Sequence, residues 1–135
     1  MKKVIAILCV AAIATIAAVS CKKDKKVDHS TPEATVKTFY KAMIAGDTDT
    51  AMDCINWETE DAKASAKEMY NNKTSDEDYN PVVEYKILPA TYATENDIQV
   101  ATVKAWRKYK DKTENSQDHK LTIVDGDWLM APSAK

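Results

Sequence analysis

A chain of 135 residues with 19 basic against 21 acidic side chains is long enough for one modest core and too short for two domains. Its slight acidity argues against nucleic acid as a partner, because phosphate binding wants a net positive face. Cys9 and Cys21 fall in or at the end of the N-terminal apolar segment, so Cys54 stands alone with His29 and His119, which excludes an intrachain disulfide in the remainder and leaves too few ligands for structural zinc.

Residues 1–20 read as a leader. Lys2 and Lys3 precede an almost unbroken apolar run over residues 4–19, short of the roughly 20 residues a membrane span needs, and small residues lead up to a cysteine, as in a secretory signal. The ending Ala18-Val19-Ser20-Cys21 resembles the lipobox of bacterial lipoproteins, with Ala18 where a leucine is usual. That resemblance implies cleavage before Cys21, acylation of Cys21 and attachment to a membrane of the cell envelope, with the outer membrane of a Gram-negative bacterium as the expected address. Ala18 and Ser20 also fit an ordinary cleavage site, which would release the protein unanchored. The leader takes two lysines and no acids with it, leaving the rest at −4. Residues 21–30 carry four lysines and almost nothing apolar, and predict a flexible tether attractive to anionic headgroups, with His29 solvated within it.

The folded part is expected over residues 31–131, followed by a short tail, residues 132–135. Thr31-Pro32-Glu33 opens a helix with a hydroxyl cap, a proline at the first position and an acid at the positive end of the dipole. Val36, Phe39, Tyr40 and Met43 then recur at helical spacing, and Gly46 supplies the left-handed stop. Asp47 caps a second, shorter helix carrying Ala51, Met52, Cys54 and Ile55, where Cys54 reads as a small core residue. A third helix is expected over residues 57–70, with Ala62, Ala66, Met69 and Tyr70 inward and Glu60, Asp61, Lys63 and Lys67 outward. Residues 71–80 are a polar loop.

From Pro81 the period changes from helical to alternating. Val83, Tyr85 and Ile87 share one face of a first strand that Pro89 ends or bends. Residues 98–109 make a long second strand of uneven parity, which a β-bulge near Thr102 would reconcile. A third strand over residues 120–124 turns through Asp125-Gly126 into a fourth over residues 127–131, and this dipeptide favours a two-residue primed turn. That turn pairs Val124 with Asp127, Ile123 with Trp128 and Leu121 with Met130, so that Leu121, Ile123, Trp128 and Met130 form one apolar face.

Three helices before an antiparallel four-stranded meander give an α+β fold, with the helices covering one face of the sheet. Thr31-Pro32-Glu33, Phe39-Tyr40, Gly46-Asp47 and the closing segment from Lys120 to Trp128 resemble small bacterial lipoproteins of unknown function with a nuclear transport factor 2-like, or cystatin-like, domain. The resemblance implies a curved sheet wrapped by helices into a cone, often with a pocket inside. Its relatives include isomerases, dehydratases, binding subunits and scaffolds, so it selects no activity.

The search for chemistry runs mostly to exclusion. An isomerase-like site needs a carboxylate base in an apolar pocket with a phenol to hold an oxyanion. Tyr40, Tyr85 and Tyr92 supply phenols, but Glu84 and Asp53 fall on outward faces. His119 shares the parity of Leu121 and Ile123, yet sits between Asp118 and Lys120 and reads as solvated. The strip Lys104, Arg107, Lys108, Lys110 and Lys112 reads as a solvated hairpin. No phosphate-binding loop, serine-nucleophile elbow or helical zinc motif is present in the sequence, and no cofactor is implied. The expectation is a lipid-anchored, non-enzymatic domain that binds a small apolar or aromatic ligand, or a partner protein, with Tyr40, Trp57, Tyr85 and Trp106 as lining residues. The alternatives are an accessory subunit with a filled cone and an isomerase-like enzyme.

Overall fold

The computed structural model describes residues 28–132. Cys21, the leader and most of the expected tether lie outside the described residues. Helices α1 (Pro32–Ala45), α2 (Thr48–Asp53) and α3 (Glu60–Thr74) precede strands β1 (Val82–Ile87), β2 (Thr91–Glu95), β3 (Ile98–Tyr109), β4 (Glu114–Val124) and β5 (Asp127–Met130). The strands form one antiparallel sheet in the order β1-β3-β4-β5, with β2 pairing on β3 beyond the end of β1. The fold class is α+β, with three helices on a curled antiparallel sheet, as the sequence implies.

The helix caps act as their residue types dictate. Thr31 accepts from the Ala34 N–H, Asp47 from Thr50 and Thr59 from Ala62, each satisfying a donor that the first turn leaves without an intrahelical partner. Gly46, at φ 79°, ends α1 with its own N–H and that of Asp47 returning to the carbonyls of Met43 and Ala42. Because Thr59 is a cap, α3 starts three residues later than expected, and Trp57 belongs to the connection before it.

α1 and the sheet make the core. Val36, Tyr40, Cys54, Ala101, Val103, Ala105, Leu121, Trp128 and Met130 are buried together, and a smaller cluster of Ala42, Ala51 and Met52 joins α1 to α2. The expected register across Asp125-Gly126 holds at every pair, and both turn residues have positive φ, as a primed turn requires. Ile123 shares the parity of its neighbours but is 45% exposed, although Trp128 beside it is buried.

Several expectations are corrected. The sheet has five strands, since Thr91–Glu95 pairs with β3 through a second two-residue turn in which Asn96 and Asp97 adopt φ 53° and 65°. The bulge lies in β1, between Val82 and Glu84, and not near Thr102. It moves Val82 inward and leaves Val83 47% exposed. β4 begins at Glu114 rather than Lys120. In α3, Ala62 and Met69 are exposed, and Lys63 and Lys67 face α2, paired with Asp53 and Asp49. His29 is not solvated: its carbonyl accepts from the Trp128 N–H at 2.9 Å and its Nε2 is buried without a hydrogen-bond partner.

Candidate functional site

The inner face of β3 and β4 changes character along its length. Register places Ala101 beside Leu121, Val103 beside His119, Ala105 beside Gln117 and Arg107 beside Asn115. Apolar side chains fill the first half of these rows, where α1 lies against the sheet. Polar ones fill the second half, and there the cone is open. A pocket of about 970 Å³ lies there, with Phe39, Tyr40 and Met43 of α1 on one side, Arg107, Tyr109 and His119 on the sheet, and Tyr70 and Tyr79 from α3 and its following loop across the mouth. The cone is therefore not filled by its own side chains.

Tyr40 and His119 meet at the floor. The Tyr40 hydroxyl lies 2.7 Å from His119 Nε2, Tyr85 stacks on Tyr40 at 5.7 Å between centroids, and Phe39 meets Tyr40 edge-on at 5.3 Å. Burial pushes the His119 pKa down to about 4, helped by Arg107 and opposed by Asp118. Burial raises that of the Tyr40 phenol, with Arg107 pulling the other way. Near neutral pH the pair is thus an uncharged imidazole and an intact phenol. A guanidinium beside the phenol oxygen favours donation from the phenol to Nε2, which puts the ring proton on Nδ1.

Arg107 is held by amides. Its Nε donates to Asn115 Oδ1 at 2.9 Å and its Nη1 to Gln117 Oε1 at 2.6 Å, while its guanidinium lies 5.6 Å from the centre of the Tyr109 ring. At the mouth, the Tyr70 and Tyr79 hydroxyls are 3.1 Å apart, and burial followed by this contact raises the Tyr70 pKa. A second cleft of about 430 Å³ shares Met43, Tyr70, Tyr79, Pro81 and Val82 with the first.

The residues singled out from sequence are dispersed. Tyr40 lines the pocket and Tyr85 lies behind it in the stack. Trp57 does not line it: its Nε1 donates to the Met52 carbonyl at 2.8 Å, and its ring packs on the small α1–α2 cluster. Trp106 lies on the opposite face of β3 from Arg107, with Nε1 donating to Glu114 Oε1. His119, read from sequence as solvated, is 8% exposed. Cys21 lies outside the described residues. Cys54 is a core side chain whose pKa burial pushes up to about 12, which keeps it a thiol. Arg107 was passed over because it falls in a lysine-rich strip, although its parity with Val103 and Ala105 already points it inward.

An imidazole that protonates near pH 4 is a weak base at neutral pH, where a general base works best with a pKa near 7. The pocket instead offers hydrogen-bond donors, a cation and aromatic walls.

No family model and no curated protein matches the chain. Among solved structures, a candidate nuclear transport factor 2-like transpeptidase from Campylobacter jejuni is similar at 20% identity and a TM-score of 0.55, covering 77% of this chain and 100% of that one. A candidate dehydratase of the same broad group from Streptomyces avermitilis superposes less closely, at 10% identity and a TM-score of 0.42, over 75% of this chain and 93% of that one. The likeness to the Campylobacter protein, with three leading helices and a curled antiparallel sheet in this chain, shows that the chain has the nuclear transport factor 2-like fold.

Proposed function

We propose that the chain is a lipid-anchored protein of the cell envelope whose domain binds a small, largely apolar or aromatic ligand without turning it over. The observation that carries the binding half is the pocket of about 970 Å³ with Tyr40, His119 and Arg107 along its inner wall. Its volume is at the upper end of the range that holds drug-sized ligands, roughly 300–1,000 Å³. The anchoring half rests on the sequence from Lys2 to Cys21. A diacylated cysteine holds a protein on a bilayer where a single chain does not.

The binding test uses 1-naphthol as probe on the full chain, followed by saturation-transfer NMR, with Met43→Trp to fill the pocket. Transfer to the probe in the wild type that Met43→Trp removes is the expected result. Equal transfer in both would overturn the reading. Anchoring is tested by Cys21→Ser, which should accumulate uncleaved precursor, whereas normal processing would sink it.

One observation favours a second reading. The Tyr40 to His119 hydrogen bond would suit a phenol that steadies an oxyanion in an acid–base enzyme. Turnover of a candidate substrate that Tyr40→Phe abolishes while binding survives would establish that reading in place of the first.

A further inference from the structure

The charged side chains that line the pocket balance in number, three cations against three acids, but Arg107 on its inner wall has no carboxylate partner. Its guanidinium lies on the inner face of the sheet, half-buried, and none of its hydrogen bonds goes to a carboxylate. Among the described residues it faces two amide oxygens, the Tyr109 ring and the Tyr40 phenol. Five lysines, Lys63, Lys67, Lys104, Lys108 and Lys120, instead each lie within ion-pair distance of an acid, and Lys73 of α3 is a further cation on the pocket wall. None of the three acids that line the pocket, Asp76, Asp78 and Asp118, is a hydrogen-bond partner of Arg107. Asp118 pairs with Lys104 and projects from the parity opposite to His119, while Asp76 folds onto the N–H of Asp78 in the loop at the mouth.

We propose that the ligand is an organic monoacid whose carboxylate sits between Arg107 and His119, with its flat apolar body against Phe39 and Tyr109. The inference rests on the pocket being a ligand site and names the chemistry that site selects. The Nη1 bond to Gln117, two residues before His119 on the same inner row, turns the guanidinium along β4 toward the imidazole. The remaining N–H groups of the fork suit the two oxygens of a carboxylate. His119, neutral and accepting from Tyr40 at Nε2, keeps Nδ1–H as a further donor. On the inner wall one guanidinium with aromatic surface around it, Lys73 lying apart on α3, fits one negative charge on a ring better than a phosphate dianion, which collects several cations or backbone N–H groups.

The test is calorimetric titration of the full chain with matched pairs, 1-naphthoate against 1-naphthamide and benzoate against benzamide, at neutral pH and low salt. The acid of each pair should bind about tenfold or more tightly than its amide. Arg107→Gln should bring the acid-to-amide affinity ratio to about one, and Arg107→Lys should keep part of the preference. Far-UV circular dichroism establishes that both variants fold. Acid and amide binding alike, or a preference that survives Arg107→Gln, overturns the inference and leaves the pocket reading standing. Binding of neither member of either pair at millimolar concentration overturns both.

Discussion

Strand β5 and helix α3 form two margins of the domain that are fastened by different physics. Every outward main-chain group of Trp128 and Met130 has a partner: the Trp128 N–H donates to His29 and its carbonyl accepts from the Thr35 hydroxyl at 2.7 Å, while the Met130 N–H donates to Cys54 and its carbonyl accepts from Asn56. A sheet edge that would otherwise invite pairing with another chain is closed by three segments of its own. α3, fifteen residues long, has no buried residue. It is tied to α2 by the Lys63–Asp53 and Lys67–Asp49 pairs and a Thr48–Asn71 hydrogen bond, and to its own following loop by the Tyr70–Tyr79 contact. Burial and satisfied backbone hold one margin, whereas solvent-screened ion pairs, with Ala66 packed on the α1–α2 cluster, hold the other. The pocket is lined from both, by Tyr70 and Lys73 of α3 and by Met130 at the end of β5.

The β5 margin should fail most expensively at Trp128. Its ring is 8% exposed and meets Tyr92 edge-on at 5.9 Å. Trp128→Ala is expected to cost about 3–5 kcal/mol, as large aromatic truncations in cores do. Urea titration measures it, and a loss under about 1 kcal/mol would mean that the ring is not part of the core.

A pH titration probes the boundary between core and pocket. The His119 pKa is about 4 in the folded chain against an ordinary 6.5. The unfolded chain therefore binds more protons between these values, so stability is fully present above about pH 6.5 and declines as pH falls toward 4. The whole effect is on the order of 3 kcal/mol. His119→Gln, which titrates nothing, should flatten this part of the profile. A wild-type curve that coincides with that of the variant would place His119 in water.

The contrast between the margins also explains what could be read in advance. Caps, turns and register follow from local chemistry, which is why Thr31, Gly46 and Asp125-Gly126 announce themselves. Position 102 drew a bulge because Ile98 and Val100 disagree in parity with Val103 and Ala105. The sheet instead buries Val100 on the face opposite to Val103, and no bulge is needed there. The site was harder for one reason: polar residues were taken to mean water outside the protein. Residues 114–118 look like a loop because Asn115 and Gln117 break the apolar alternation, yet they occupy inward positions facing the open half of the cone. Trp57 and Trp106 were chosen for aromatic character, and each instead uses its indole N–H to anchor a surface joint. Parity identified the inward positions better than residue type did.

The stitching of β5 can be cut one bond at a time. Thr35→Val keeps the shape but leaves the Trp128 carbonyl without its buried donor, at an expected cost of about 1–2 kcal/mol. Thr35→Ser, retaining the hydroxyl, should recover most of it. Equal stability of the valine and wild-type proteins in denaturant would show that water replaces the hydroxyl at this edge.

The smallest effect on global stability, and the most selective, belongs to α3. Its two lysine pairs join partly exposed side chains, and pairs of this kind contribute below about 1 kcal/mol each. Lys63→Met and Lys67→Met should therefore shift the denaturant midpoint little. Hydrogen exchange reads something different, because a helix without buried side chains can open while the sheet stays closed. The α3 amides of the wild type should exchange well before those of α1, β3 and β4. The lysine variants, or a rise from low to high salt that screens the same pairs, should widen that gap. Since Tyr70 and Lys73 form part of the pocket wall, an acid that occupies the pocket should close the gap again. Uniform protection of α1 and α3, insensitive to salt and to either lysine, would mean that packing and not charge holds the third helix, and that both margins are fastened alike.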